Sequence, residues 1–300
     1  MGYRVHGQNS LDRTPPRWFV LHAKEETTKH DLHIHTNYSD GLLGVEEVLG
    51  LYASRGYGVI SITDHDNIEG SRQAATLAAR YGLRVVPGVE VSTLHEGRDI
   101  HILGYGCAET PAFLDMLAFI VQSRLARAQK MIDRLHKFWE FSLDMDHLLS
   151  LAGDKDVVGR PHIARAMVEK GYCRDTQTAF ARYIGDECQA YVPKQSLPPA
   201  DAIRTIREAG GIPVLAHPIF LETDFIILDL IEQGLGGIEV FYLRHGEDAT
   251  QFYRKIARRY GLLCTGGTDF HGNDGEADHI GEFTVPEWAV NDLLAALDMK

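Results

Sequence analysis

The stretch Asp31-Leu-His-Ile-His-Thr-Asn-Tyr-Ser-Asp-Gly41 places three candidate metal ligands, His33, His35 and Asp40, directly after a short β-like run. Residues two apart on a strand project to the same face, so the two imidazoles point to one place. The carboxylate of Asp40 follows in the next loop and can reach the same place. Imidazole and carboxylate together are typical ligands of a divalent cation, so the stretch predicts a strand that carries a metal site.

An isolated His-x-His is often no more than a pair of hydrogen-bonded polar residues, but in this sequence a second pair of candidate ligands has the same spacing. Asp269 and His271 show the same spacing after the apolar run 262–264 near the other end of the chain. Four more candidates lie at or within β-like segments, namely His65, Glu90, His101 and His217. The C-terminal ends of strands converge on one mouth of a parallel barrel, so all nine side chains could meet there.

From residue 30 onward, short β-branched runs alternate with amphipathic helical patterns, which predicts a parallel sheet with helical crossovers. We predict an α/β fold, a distorted seven-stranded (β/α)7 TIM-like barrel with an inserted all-helical subdomain. The predicted strands are 31–35, 59–63, 84–90, 99–104, 212–216, 237–241 and 262–268. The predicted barrel helices are 44–55, 69–81, 199–209, 223–233 and 247–260.

The alternation of strands and helices is interrupted between residues 111 and 193. A long helical pattern over 111–141 has an apolar stripe, and shorter helices follow near 145–151, 161–170 and 175–184. We therefore predict an inserted helical cap subdomain at 111–193, a barrel domain formed by 29–110 and 194–300, and an N-terminal extension at 1–28. A cap beside the site can select substrates, whereas the alternative is a packing module without substrate contact.

Composition limits the classes of function. The net charge of −12 argues against a general nucleic-acid-coating surface, and we expect no stable DNA binding. The four cysteines are widely spaced and form no Cys-x-x-Cys unit, which is typical of reduced thiols in a cytoplasmic protein. No stretch reaches the roughly 18 apolar residues of a membrane span, so we expect a cytoplasmic protein without membrane contact.

The donor set itself indicates the class of metal. Six imidazoles and three carboxylates suit manganese, zinc or iron better than magnesium or calcium, which prefer oxygen ligands. Nine ligands exceed the need of one or two ions, and three ions with Glu90 as a bridge would use them economically. We expect two to three divalent transition-metal ions as cofactors.

Six motifs occur in the order found in the PHP (polymerase and histidinol phosphatase) phosphoesterases, and the chain resembles that family over most of residues 30 to 285. They are Asp31-Leu-His-Ile-His-Thr with Ser39-Asp-Gly41, Ile62-Thr-Asp-His-Asp66, Gly88-Val-Glu90, His101-Ile-Leu-Gly104, Ala216-His-Pro218 and Gly267-Thr-Asp-Phe-His271. The resemblance implies one metal on His33, His35, Glu90 and Asp269. It implies a second on Glu90, His101 and His217, and a third on Asp40, His65 and His271.

The insert resembles a narrower bacterial branch, which includes nucleoside 3',5'-bisphosphate phosphatases and a related 5'-3' exoribonuclease. In Gly159-Arg-Pro-His-Ile-Ala164 we interpret Arg160 and His162 as catalytic, because an arginine fork matches phosphate oxygens and a histidine can protonate a leaving alkoxide. The same motif also suits a helix start, with Pro161 in the first turn. Arg124, Arg127 and Lys194 are weaker candidates for substrate binding, with solvated surface charge as the alternative.

These observations predict a metal-dependent phosphoesterase in which a metal-bound hydroxide attacks phosphorus. The preferred partner is a small phosphorylated nucleotide, best a nucleoside 3',5'-bisphosphate. Short 5'-phosphorylated RNA, cleaved by a 5'-3' exoribonuclease, is the alternative, as is a histidinol-phosphate-type phosphatase. A barrel amidohydrolase would require a strand-end carboxylated lysine, and no strand-end lysine occurs in the sequence. A non-catalytic metal-binding module is disfavoured by the complete ligand set.

Overall fold

The computed structural model describes residues 28–152, 158–221, 223–273, 275–276 and 280–298. The predicted N-terminal extension therefore lies, except for Thr28, outside the described residues. Strands in the described ranges are β1 (Lys29–Ile34), β2 (Tyr57–Ile62), β3 (Arg84–Val85), β4 (Gly88–His95), β5 (Arg98–Tyr105), β6 (Ile212–Leu215), β7 (Gly237–Tyr242) and β8 (Leu263–Gly267).

The α-helices lie close to the ranges that the sequence pattern predicts. They are α1 (Val45–Ser54), α2 (Glu69–Leu77), α3 (Pro111–Trp139), α4 (Met145–Ala152), α5 (Arg160–Glu169), α6 (Thr176–Ala179), α7 (Pro199–Glu208), α8 (Phe225–Glu232), α9 (Glu247–Tyr260) and α10 (Glu287–Asp298). Helix α10 was not predicted. Within the described part of the chain, no helix is both long and apolar enough to cross a membrane.

The strands form two sheets. Strands β1, β2 and β3 are parallel neighbours in one sheet, and the other has the order β4-β5-β6-β7-β8. Isolated bridges pair Ile34 with Phe270 and His65 with Glu90, so strand-like hydrogen bonds also connect the two sheets. The structure is thus an α/β fold, whereas a single closed ring of seven strands stays a prediction.

The prediction of a uniformly parallel sheet is wrong at β5, which is antiparallel to both β4 and β6. Glu96 and Gly97 form a two-residue connection in which both φ angles are positive, 49° and 83°. A turn with two positive φ angles joins the strands of a tight hairpin, and a hairpin requires antiparallel pairing. The predicted strand 84–90 is also divided, because β3 ends at Val85 and β4 begins at Gly88.

Helix α3 connects two hydrophobic cores. It begins at Thr110, whose side chain accepts a hydrogen bond from the amide of Phe113, and Pro111 fits the first turn. Phe113 and Ile120 are buried in the core of the sheets, whereas Met131 and Leu135 are buried in a separate cluster formed by the inserted helices. Residues in the middle of α3 are therefore positioned between the sheets and the insert.

Candidate metal centre and substrate cavities

His33 and His35 project from the end of β1 to the same side, as their spacing predicts. Both side chains are fully buried, and their Nε2 atoms lie 3.1 Å apart. Two buried imidazole nitrogens that face each other can share a single proton in a hydrogen bond. Alternatively, both nitrogens can bind the same cation. The local sequence thus creates a pair of nitrogen donors with one common target.

Glu90, fully buried on β4, lies at the centre of the candidate ligands. Its carboxylate oxygens are within 3.3 Å of ring nitrogens of five histidines: His33, His35, His65, His101 and His217. These histidines come from β1, from the loop after β2, from β5 and from the end of β6. A single carboxylate among so many nitrogen donors has the placement of a bridging ligand.

The remaining candidates complete the cluster on two sides. Asp269 Oδ1 lies 3.1 Å from His35 Nε2, and Asp40 Oδ1 lies 3.3 Å from His271 Nε2. The rings of His35 and His271 stack with centroids 4.2 Å apart. The structure therefore brings together all nine side chains that the sequence singled out, although Asp40 remains 43% exposed at the rim.

Three overlapping groups have ligand atoms that all lie within 4.8 Å of one another. They are His33, His35, Glu90 and Asp269; His35, Asp40, His65 and His271; and His65, Glu90 and His101. The first matches the set that the family resemblance implies, and the second contains the implied third set. The implied second set, Glu90, His101 and His217, differs from the third group, which contains His65 in place of His217. His217 is nevertheless close, because its Nε2 lies 2.9 Å from Glu90 Oε1.

The chemistry of these atoms fits a bound cation. Glu90 Oε2 and His65 Nδ1 are buried and lie 3.1 Å apart, yet neither forms a hydrogen bond within the described structure. A buried carboxylate oxygen without a hydrogen-bond donor is costly unless another positive group faces it. A divalent ion held between the imidazoles would supply that charge.

The protonation tendencies of the histidines differ. Burial lowers the pKa of His65 to about 3, so its ring nitrogens carry no extra proton at neutral pH. Burial also acts to lower the pKa of His35, but hydrogen bonds to Asp269 and Glu90 outweigh this effect and raise it to about 10. Neutral imidazole is the form that binds metal, so a cation would displace a proton from His35 but not from His65.

A second layer of buried carboxylates holds the ligands, and the sequence analysis missed their roles. Glu239 on β7 lies 3.0 Å from His33 Nδ1, and Asp64 accepts hydrogen bonds of 2.7 Å from the Thr36 amide and the Ser39 hydroxyl. The available signal was a carboxylate inside the otherwise uncharged run Gly237-Ile-Glu-Val-Phe-Tyr242. Lys, Glu, Arg and Asp are almost never fully buried unless they are paired, so such a residue predicts a buried partner.

The backbone is strained beside these ligands. Three non-glycine residues at the centre have positive φ angles: Asp66 with 53°, His217 with 27° and Asp269 with 57°. Such conformations cost on the order of 1–3 kcal/mol each and persist where the surroundings enforce them. The strain lies where the chain turns from strand into loop and delivers a side chain to the cluster.

A cavity of about 240 Å³ is lined by four cations that the sequence analysis named, Arg124, Arg127, Arg160 and Lys194. The only carboxylate among its described lining residues is Asp99, two positions before His101 on β5. We call this space the cationic cavity. Its lining comes from the middle of α3, from the start of α5 and from the segment around Lys194, where the chain leaves the insert.

The cations of the cationic cavity have different partners. Arg124 Nη2 lies 2.6 Å from Oδ2 of the fully buried Asp66, next to His65. Lys194 Nζ pairs with Asp99 at 2.5 Å, and Arg127 Nε donates to the carbonyl of Val192 at 2.7 Å. Arg124 therefore connects the cavity to the nine clustered candidate ligands, which we call the metal cluster, and it also neutralises a buried carboxylate.

Arg160 and His162 occupy different places on α5. Arg160 pairs with Asp186 at 2.7 Å, and its guanidinium lies 5.6 Å from the ring centroids of both Phe180 and Tyr191. His162 is not among the described residues that line the cationic cavity. Its Nδ1 accepts a hydrogen bond of 3.0 Å from the Gly159 amide, which caps the start of α5.

Several bacterial proteins are similar to this chain over most of their length. A phosphoribosyl 1,2-cyclic phosphate 1,2-diphosphodiesterase from Eggerthella lenta is 35% identical over 85% of this chain and 98% of its own length. A 3',5'-nucleoside bisphosphate phosphatase from Chromobacterium violaceum is 33% identical, over 86% of this chain and 94% of its own. A 5'-3' exoribonuclease from Haemophilus influenzae is 33% identical, over 82% and 90% respectively.

Solved structures show the same fold. A Bifidobacterium adolescentis protein assigned as a metal-dependent phosphoesterase superposes with a TM-score of 0.77 and 28% identity, over 90% of this chain and 96% of its own. A Chromobacterium violaceum protein described as an amidohydrolase with bound sulfate has a TM-score of 0.75 and 32% identity, over 90% and 97%. The model of the PHP domain matches residues 31–186, which is just over half of the chain. The chain therefore belongs to the PHP domain family of metal-dependent phosphoesterases.

Proposed function

We propose that the chain hydrolyses nucleoside 3',5'-bisphosphates, releasing one phosphate and leaving a nucleoside monophosphate. The observation that carries the proposal is the cationic cavity beside the cluster of nine candidate ligands. The four cations outnumber the three carboxylates that pair with them, Asp66, Asp99 and Asp186, which leaves a net positive site for a second anionic group near the reacting phosphate. The Chromobacterium violaceum relative, named for this substrate class, supports the choice.

We propose that the nine clustered side chains hold two to three divalent transition-metal ions, of manganese, zinc or iron. The donors are His33, His35, Asp40, His65, Glu90, His101, His217, Asp269 and His271. When bound, such ions supply Lewis-acid polarisation of the phosphoryl oxygens and activation of water. The side chains would hold the ions at the strand ends, beside the cationic cavity.

The cations of the cationic cavity bind and orient the substrate in this proposal. Arg127 and Lys194 hold the second phosphate, while the planar fork of Arg160 can donate two N–H hydrogen bonds to phosphate oxygens. His162 is proposed to protonate the leaving alkoxide. Because its Nδ1 accepts the Gly159 amide hydrogen, a neutral His162 carries its proton on Nε2, the atom that could donate it.

A second candidate function is 5'-3' exoribonuclease activity on short 5'-phosphorylated RNA, which the Haemophilus influenzae relative favours. The same cationic cavity would then hold a phosphate of the RNA backbone. The Eggerthella lenta relative adds hydrolysis of a phosphoribosyl cyclic phosphate as a third outcome to be tested. A histidinol-phosphate-type phosphatase, a cytoplasmic location and the lack of stable DNA binding stay predictions from the sequence.

The test assays the manganese-loaded protein by phosphate release and also by chromatography of the products, because hydrolysis of a cyclic phosphate or of an RNA chain frees no inorganic phosphate. The substrates are a nucleoside 3',5'-bisphosphate, the matching 3'-monophosphate, a phosphoribosyl 1,2-cyclic phosphate, histidinol phosphate and a short 5'-phosphorylated RNA. We expect the highest kcat/KM on the bisphosphate, with release abolished by a chelator. Equal rates on the bisphosphate and the monophosphate, or efficient cleavage of RNA alone, would contradict the proposal and favour a named alternative.

A further inference from the structure

Phe220 is an exposed aromatic residue close to the metal cluster. It ends the short 3-10 helix Pro218–Phe220, which directly follows His217. Its ring centroid lies 5.4 Å from that of His217, yet 58% of the Phe220 surface is exposed. A large apolar ring that remains mostly in contact with water contributes little to the core, so packing alone does not explain it.

Phe220 also lines a second cavity, of about 440 Å³, together with Phe225, which is 79% exposed. We call this space the aromatic cavity. Its described charged lining residues are Glu96, Asp99 and Asp229 against a single arginine, Arg98. Asp99 is paired with Lys194, and the two carboxylates of Glu96 and Asp229 still outnumber the single arginine, so the cavity repels a phosphate, whereas an uncharged planar ring can enter without that penalty. Pockets that bury small ligands have about 300–1,000 Å³, which includes this volume.

Neighbouring side chains restrict the orientation of the Phe220 ring. The guanidinium of Arg244 lies 5.9 Å from its centroid, and the ring of Tyr242 lies 6.1 Å away with an edge-on orientation. Tyr242 in turn donates a hydrogen bond of 3.1 Å to Asp269. A ring held by such contacts needs little further ordering when a second ring stacks on it.

The two cavities share one lining residue, Asp99. It lies two residues before His101 on the same face of β5. Their opposite charge separates the parts of a substrate, since an anionic group is attracted to the cationic cavity and repelled from the aromatic cavity. A nucleoside bisphosphate has the matching parts, namely two phosphates and one uncharged base.

We propose that the aromatic cavity binds the nucleobase of the substrate, which stacks on Phe220 while the second phosphate lies in the cationic cavity. The inference rests on the proposed function and deepens it, because it makes the base a determinant of specificity. A phosphorylated ribose without a base would use the metal cluster and the cationic cavity but gain nothing from Phe220. Base-aromatic stacking is tolerant of sequence, so any of the common bases would be accepted.

The experiment compares two substrates on the full-length, manganese-loaded chain and its variants. One is a nucleoside 3',5'-bisphosphate, and the other is a 1-O-methylribose 3,5-bisphosphate, which lacks the base. Phe220→Ala should lower kcat/KM for the nucleotide by about tenfold, within the range that loss of a stacking aromatic produces, and leave the base-free compound unchanged. Phe220→Trp should retain the preference for the nucleotide. Phe252→Ala, which removes a 43% exposed ring on α9, is the matched control.

The base-free substrate reports on the metal centre within the same variant. If Phe220→Ala lowers the rates on both compounds equally, Phe220 acts on the metal cluster and the inference is wrong. The inference is also wrong if Phe220→Ala changes neither rate. If the unaltered chain hydrolyses neither bisphosphate, the proposed function itself is wrong. This result differs from the two outcomes above, in which the unaltered chain is active and only the behaviour of Phe220→Ala contradicts the inference.

Discussion

Glu239 accepts a hydrogen bond from Nδ1 of His33 at 3.0 Å, in a place where both side chains are fully buried. With Nδ1 directed to Glu239, His33 turns Nε2 toward Glu90 and Asp269. The other oxygen of Glu239 accepts the backbone N–H of His217 at 2.6 Å. One carboxylate on β7 thus positions candidate ligands from β1 and β6.

Glu239→Gln should weaken metal binding. A glutamine side chain offers one acceptor oxygen in place of two, so either His33 or the strained backbone of His217 would face an amide N–H group. Loss of a partner that orients a ligand lowers metal affinity about 10–100-fold. Equilibrium titration with manganese in competition with a chelating dye measures the affinity without the use of catalysis.

Thr265→Val is the matched control for Glu239→Gln. Thr265 pairs with Glu239 in the register of β7 and β8, and its side chain is also fully buried. The valine variant should bind manganese as tightly as the unaltered chain. Equal affinity in the glutamine variant would show that His33 and His217 hold their positions without the carboxylate.

The spacing of His33 and His35 was sufficient to predict their common face, because alternation along a strand is a local property. The role of Glu239 was not predictable in the same way, since its partners lie on β1 and at the end of β6. The antiparallel β5 was missed because Glu96-Gly97 was not recognised as a tight turn. Arg127 and Lys194 were named as separate weak candidates, and only tertiary packing places them in one cavity.

Arg127→Ala should reduce the advantage of a bisphosphate over a 3'-monophosphate, because it removes a charge from the cationic cavity. The ratio of the two kcat/KM values measures this effect. In the unaltered chain the ratio should also fall at high salt, since a partly exposed site is screened. A ratio that is the same in Arg127→Ala and in the unaltered chain would exclude Arg127 from the second phosphate site.

Arg124→Ala, at the same cavity, should affect protein stability as well as substrate binding. It leaves the carboxylate of Asp66, which is fully buried, without its guanidinium partner. Breaking a buried ion pair in this way costs about 3–5 kcal/mol of folding free energy. We therefore expect a clearly lowered Tm for Arg124→Ala and a smaller change for Arg127→Ala, measured by thermal unfolding.

Arg160→Ala should leave the metal content intact and lower kcat/KM about 100-fold, which corresponds to about 2.7 kcal/mol of transition-state stabilisation. The reason is that Arg160 lines the cationic cavity and carries a fork that matches phosphate oxygens. Arg182→Ala, at an exposed position of the insert, is the control and should be fully active. Unchanged kinetics in Arg160→Ala would restrict Arg160 to its ion pair with Asp186 and its contacts with the rings.

We expect Lys194 to make the proposed preference for bisphosphates dependent on pH. Burial, together with the nearby charge of Arg124, lowers the pKa of Lys194 from its ordinary value of 10.5, whereas the pKa of Asp99 beside it is lowered by the same lysine despite its burial. As pH rises, Lys194 therefore loses its charge earlier than an ordinary lysine while Asp99 remains ionised. The attraction for the second phosphate falls accordingly.

We expect the ratio of kcat/KM on the bisphosphate to that on the 3'-monophosphate to decrease as pH rises from neutral toward the alkaline range. A ratio is the proper readout, because both substrates use the same metal cluster and its own pH dependence cancels. Lys194→Arg should keep the ratio high at alkaline pH, since a guanidinium remains protonated throughout. A ratio that stays constant with pH in the unaltered chain, or that falls equally in Lys194→Arg, would show that Lys194 does not hold the second phosphate.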